Sequence, residues 1–105
     1  MDTVSLWKKR TQIWRGTTPC LFFKLPGVAY PGEIQRAQVW FRQQGKTLLK
    51  RQCPVSAEGV LTVPLTKEET LDFCRGTVYV QVKLDFYCGA RAVSNWLQIT
   101  VFDVL

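Results

Sequence analysis

The side chains that carry chemistry are few in this chain, and their spacing argues against catalysis. There is no histidine, the residue that most often serves as a general base near neutral pH. Cys20, Cys53, Cys74 and Cys88 are widely scattered, with no Cys-x-x-Cys pair. A structural zinc would have to gather thiolates from separate segments, and a cysteine nucleophile would lack an imidazole partner. Reduced, partly buried thiols are the expectation, with a disulfide as the alternative. The adjacent acids Glu68 and Glu69 belong to the stretch Thr66-Lys67-Glu68-Glu69. This has the form of a capping box, with Thr66 at the N-cap and Glu69 reaching back, which gives the acids a structural task. Gly89-Ala90-Arg91 reads as a turn rather than a phosphate-cradling loop. No catalytic residue, metal ligand or cofactor is assigned, and the chain is expected not to be an enzyme.

Charge and aromatic residues offer more. The net charge is +6. Residues 8–51 hold ten basic residues and one acid, Glu33, whereas residues 52–105 hold four basic residues and six acids. Lys8, Lys9, Arg10, Arg36, Arg42, Lys46, Lys50 and Arg51 form a candidate basic patch, with Trp7, Trp14 and Trp40 interleaved among the cations of that half. Tryptophans among cations suit stacking on a single-stranded nucleic acid. A solvated basic face with ordinary core tryptophans is favoured over that reading, because the spacing matches no nucleic-acid-binding module. The asymmetry also suits an acidic partner or head-to-tail self-association.

These residues need a scaffold, and the strand pattern supplies one. From Thr77 to Phe86 the chain alternates without a break, with Val78, Val80, Val82, Leu84 and Phe86 on the apolar side. Period two over this length is a half-buried strand. A second alternating run from Trp96 to Phe102 follows a break that contains Gly89, so the two predict an antiparallel hairpin. Shorter runs predict strands over Gln12–Arg15, Cys20–Leu25, Arg36–Gln43, Lys46–Cys53 and Val60–Leu65, with loops at 26–32 and 54–59 and a hairpin turn at Gln44-Gly45. Pro64 cannot donate to a ladder, so its strand lies at an edge or leaves the sheet there. The capping box starts about two turns of helix. The whole reads as an all-β, immunoglobulin-like antiparallel sandwich of about seven strands with one short helical turn. Residues 1–11 are expected to be an arm and 12–105 the single domain. The expected core unites Leu21, Phe23, Val39, Phe41, Leu61, Val63, Val80, Val82, Leu84, Leu97 and Ile99. The same parity turns Trp40, Trp96 and Phe102 outward, making them a candidate protein interface.

The motifs Arg15-Gly16-Thr17-Thr18, Leu21-Phe22-Phe23-Lys24-Leu25, Ala37-Gln38-Val39-Trp40-Phe41, Gly45-Lys46 and Gly59-Val60-Leu61-Thr62-Val63-Pro64-Leu65-Thr66 carry a family likeness. So do Lys67-Glu68-Glu69-Thr70, the strand through Leu84 and the run from Ser94 to Val101. Over about residues 12–102 the chain resembles the immunoglobulin-like N-terminal domain of siphophage baseplate upper proteins and related phage tail proteins. Where that family carries an Asp-Leu-Thr-Gly-Ala-like turn, this chain has Glu33-Ile34-Gln35-Arg36-Ala37. The resemblance implies a bacteriophage virion structural protein of the tail, baseplate or neck. It would be assembled in the bacterial cytoplasm and act by protein–protein interaction, with other virion proteins and further copies of itself as partners. A basic single-stranded nucleic-acid binder and a phage-encoded inhibitor of a host protein are the alternatives. No stretch approaches the roughly 20 apolar residues of a membrane span, and no signal-peptide core precedes Lys8, so a membrane partner is not expected.

Overall fold

The alternation over Thr77–Phe86 becomes the spine of the molecule. The computed structural model describes residues 2–4, 7–8, 12–25, 31–94 and 96–103. Within them lie β1 (Asp2–Val4), β2 (Trp7–Lys8), β3 (Gln12–Trp14), β4 (Cys20–Lys24), β5 (Ile34–Gln43) and β6 (Lys46–Gln52). They are followed by β7 (Val60–Pro64), α1 (Lys67–Asp72), β8 (Gly76–Phe86), β9 (Arg91–Ser94) and β10 (Leu97–Phe102). β8 pairs antiparallel with β5 along one edge, and β6 continues the sheet beyond β5. Along its other edge β8 pairs with β9 and then with β10, both antiparallel. The second sheet is three-stranded, in the order β2-β4-β7.

Val78, Val80, Val82 and Leu84 of β8 face the second sheet and are buried with Val39 and Phe41 of β5 and Leu21, Phe23, Leu61 and Val63 of the opposing sheet. The parity read from the sequence holds for all of the expected core; Leu97 is only half-buried, at the start of its strand. Phe73, just past α1, completes the core and meets Phe41 with ring centroids 5.7 Å apart. The result is a β-sandwich with immunoglobulin-like wiring, its two apolar faces pressed together and its outer faces wet.

Several local expectations take definite form. Gln44 (φ 54°) and Gly45 (φ 77°) both occupy the left-handed region, the conformation of a two-residue hairpin turn that matches strand twist. The irregular Leu48-Leu49 pair is a bulge: β5 steps from Phe41 to Arg42 while β6 steps from Leu49 to Thr47. Pro64 closes β7 opposite Cys20, at the border of the smaller sheet. The capping box is formed in full: the Glu69 amide donates to Thr66 Oγ1 at 3.1 Å, and the Thr66 amide donates to Glu69 Oε1 at 2.8 Å. All four cysteines are free thiols.

Two expectations change. Within the expected arm, β1 lies parallel to β9 and β2 pairs with β4 in the other sheet; β3, expected as a strand, lies parallel to β10. β1 and β2, of three and two residues, are too short to show a period, which hid them. The gap between the two long runs also holds more than a turn. The chain reverses over Tyr87–Ala90, where the Phe86 amide donates to the Ala90 carbonyl at 2.9 Å, and β9 follows at once. Ala92 and Ser94 of β9 face inward, yet in β10 the inward residues are Ile99 and Val101. The switch of parity is a bulge. Lys83 pairs with Val93 and Val80 with Leu97, so three steps along β8 are matched by four along its partner. The Ser94 hydroxyl accepts from the Val82 amide at 2.8 Å there, satisfying a buried donor where the ladder is disrupted. The expected loop at 26–32 falls largely on residues outside those described.

Candidate functional site

The bulge decides which way Trp96 points. Had the β9 parity continued, position 96 would face the core; with one residue added, it joins the outer face of the larger sheet. There it meets the outward Arg42 of β5 and Tyr79 of β8. Register places Lys50, Trp40 and Gln81 side by side in one row, with Arg42 and Tyr79 paired in the next. Neighbouring strands are about 4.8 Å apart, so such rows bring side chains into contact.

Trp40 sits at the centre. Lys83 Nζ lies 3.7 Å from its ring centroid and Lys50 Nζ 4.6 Å. The ring is half-buried beneath two ammonium groups rather than presented bare. Its indole N–H makes a long 3.4 Å contact with Gln38 Oε1. Beside it, the Arg42 guanidinium lies 5.9 Å from the Trp96 ring, and Arg42 Nη2 donates to the Gly45 carbonyl at 3.1 Å. Arg42, Gly45, Tyr79 and Trp96 border an open cleft of about 420 Å³. Trp96 and Tyr79 keep 45% and 42% of their surface exposed, which makes them available to a partner.

The two sequence-derived candidate groups therefore divide differently from expectation. Trp40, Trp96, Arg42 and Lys50 converge on this one face, and Lys46 stands exposed at the β5–β6 turn beside it. Arg36 is exposed farther along β5, opposite Asp85. Phe102 is on the same side of the sheet but at its far border, stacked on Trp14 at 5.0 Å, and belongs to a separate aromatic pair. Arg51 leaves the patch. It is one residue past Lys50 and so points to the inner side, where it bonds the Pro64 carbonyl and pairs with Glu69. It ties β6 to the β7–α1 junction across the open border of the sandwich. Lys8 lies in β2, in the other sheet, opposite Phe23. Lys9 and Arg10 lie outside the described residues.

Lys83 and Tyr79 were not singled out from the sequence. Both stand at outward positions of β8, and only the β5–β8 register reveals that they adjoin Trp40 and Arg42. Among the described residues no group of three or more histidine, cysteine or acidic side chains could hold a metal ion. No helix there is long and apolar enough to cross a membrane. The one resolved thiol shift is at Cys53: burial pushes it up, more than the nearby Arg51 charge pulls it down.

No protein-family model and no curated protein matches this chain. Solved structures do. The chain superposes on superoxide reductase (neelaredoxin) from Ignicoccus hospitalis with a TM-score of 0.59 and 11% identity, over 93% of this chain and 80% of that one. It superposes on CopC from Methylosinus trichosporium OB3b at TM-score 0.61 and 12% identity, over 97% and 96%. For the fibronectin(III)-like modules of Clostridium thermocellum CbhA the values are 0.52 and 12%, over 95% and 97%. At such identities the likeness establishes the shared sandwich fold.

Proposed function

We propose that this chain is a non-enzymatic protein-interaction module that works as a phage virion component, in a tail, baseplate or neck. The observation that carries the interaction reading is the outer face of the larger sheet. Trp40 and Tyr79 lie there among Arg42, Lys50 and Lys83, held by paired strands, with Trp96 set beside them immediately before β10. Aromatic and arginine side chains on a rigid, partly exposed face are the residues that dominate binding energy at protein interfaces. The virion setting rests on the sequence resemblance. The non-enzymatic reading rests on the lack of histidine and on the engagement of Glu69, Asp85 and Asp103 in ion pairs with Arg51, Arg91 and Arg15. Other virion proteins and further copies of the chain are the partners.

A nucleic-acid partner is less well supported, because the faces of a stacking platform must be free and the Trp40 ring is occupied by two lysines. The test compares both. Sedimentation of the full chain over a range of concentrations is expected to show association, and mass spectrometry of purified particles is expected to find the chain. The Trp96→Ser/Tyr79→Ser double variant should associate more weakly with little change in melting temperature, since exposed side chains contribute little to the fold. Oligothymidylate binding that is micromolar or tighter at about 150 mM salt, and that is lost in a Lys50→Gln/Lys83→Gln variant, would replace this reading with the nucleic-acid one.

A further inference from the structure

We propose that the cleft bordered by Arg42, Gly45, Tyr79 and Trp96 receives a carboxylate side chain from an acidic–apolar segment of a partner protein, an inference that rests on the reading of this face as a protein-binding surface. The argument starts from an imbalance. Among the described residues, Arg15, Arg51 and Arg91 each pair with a carboxylate. Arg36, Arg42 and Arg75 do not, and of these three Arg42 alone is half-buried rather than exposed. Among the described residues its hydrogen bond uses Nη2, to the Gly45 carbonyl, and its Nε, like that of Arg15, is shielded from solvent without an acceptor; unlike Arg15, it has no carboxylate on its fork. A shielded donor with no acceptor is costly. A guanidinium is a planar fork whose natural complement is a carboxylate or phosphate.

The surroundings fix the rest of the ligand. The nearby ionic groups are Lys46, Lys50 and Lys83. The acid on the outer face of β8, Asp85, is several residues along the strand and is paired with Arg91. The field at the cleft is therefore positive and selects an anion. Beside the fork stand the exposed rings of Trp96 and Tyr79, which need an apolar neighbour to lose water against. One anion with flanking apolar groups matches both parts. A nucleotide phosphate answers the fork, but its base would have to compete for rings already arranged around Arg42.

The test uses the full chain and a fluorescein-labelled peptide that alternates Glu with Phe and Leu. Its comparators are the same peptide with Gln for Glu, a polyglutamate peptide and oligothymidylate. The Glu peptide is expected to bind and to shift the Trp96 indole N–H resonance of the wild-type chain. The Gln peptide and polyglutamate should each bind at least about ten-fold more weakly, because each lacks one half of the complement. Arg42→Gln should lower affinity for the Glu peptide about ten- to hundred-fold, and Arg42→Lys should lose most of that too, since an ammonium cannot reproduce the fork. Equal binding of the Glu and Gln peptides, or an unmoved Trp96 resonance at saturation, would overturn the proposal. Binding that survives Arg42→Gln but is lost in Trp96→Ser would overturn the carboxylate site while leaving the protein-binding face intact. Binding of oligothymidylate tighter than of the Glu peptide would overturn both.

Discussion

Gln43 is buried at the end of β5, and its side-chain amide grips a single residue on the far side of α1. It accepts from the Cys74 amide at 2.7 Å and donates to the Cys74 carbonyl at 2.6 Å. The pair of bonds imitates one rung of a sheet and fixes the entry into β8. Each bond is worth roughly 1 kcal/mol net, so Gln43→Ala should cost about 2 kcal/mol, with some addition for the space left behind. In a domain of this size that lowers the melting temperature by about 8–12 °C. Gln43→Glu gives the sharper reading. Ionised, the carboxylate still accepts from the amide but faces the carbonyl with no proton to give; protonated, it can do both. The neutral form is favoured in the fold, so the folded pKa lies above the unfolded value of about 4.3. The stability this group contributes is therefore present below that unfolded value and is lost as pH rises through the folded one. Urea unfolding of wild type, Gln43→Ala and Gln43→Glu should be compared at each pH, so that the titration of other carboxylates cancels. The Gln43→Glu deficit relative to wild type should shrink by about 1–3 kcal/mol between pH 7 and pH 4, while the Gln43→Ala deficit stays constant. A Gln43→Glu deficit independent of pH would show that the two bonds to Cys74 do not hold this junction.

Other outcomes follow from the core, the cap and the thiols. Val82 is completely buried between β5 and the opposing sheet, so Val82→Asp should leave an unpaired charge in the core and no cooperative melting transition. Thr66→Ala removes one half of the capping box and should cost about 1 kcal/mol, measured by urea unfolding. A chromogenic disulfide reagent should titrate all four thiols after denaturation without reductant. In the native chain exposed Cys74 and Cys88 should react first and Cys53 last. Burial raises the Cys53 pKa, so its contribution to stability is intact below the ordinary thiol range of about 8.5 and is lost as pH rises through the folded value. The alkaline loss of stability should be smaller in Cys53→Ala than in wild type.

Long strands announced themselves in the sequence because a run such as Thr77–Phe86 has room for several periods, and burial on one face enforces them. The Thr66–Glu69 cap and the Gln44-Gly45 turn were legible for a different reason: their chemistry is local, contained in four residues or fewer. What escaped was set by register between distant segments. β1 and β2 owe their conformation to partners at Ala92–Ser94 and Phe23–Lys24, not to any pattern of their own. Lys50 and Arg51 looked like one basic pair, yet adjacent residues on a strand face opposite ways. One joined the outer face, and the other was spent on Glu69. Trp40 and Trp96 were placed on the outer side by parity, but the two lysines over Trp40 come from different strands, and no one-dimensional pattern links them.

Those two lysines also bear on how the face would bind. An exposed lysine carries about 2 kcal/mol of rotamer entropy, part of which is lost when a partner immobilises it. Lys50 and Lys83 are already drawn onto the Trp40 ring, each attraction worth about 0.5–1 kcal/mol at such a site. Part of the ordering cost has thus been met within the free chain. The ring in turn is shielded from water by the lysine stems, which lowers its tendency to drive unspecific aggregation. Replacing Trp40 with Leu would keep an apolar residue there but release both lysines. Affinity for an anionic partner should then fall although no charge has been removed and no carboxylate contact deleted. The salt dependence of binding should stay nearly the same, because the number of cations facing the partner is unchanged. A Trp40→Leu variant that bound as tightly as wild type would show that the aromatic platform does not pre-position the charges.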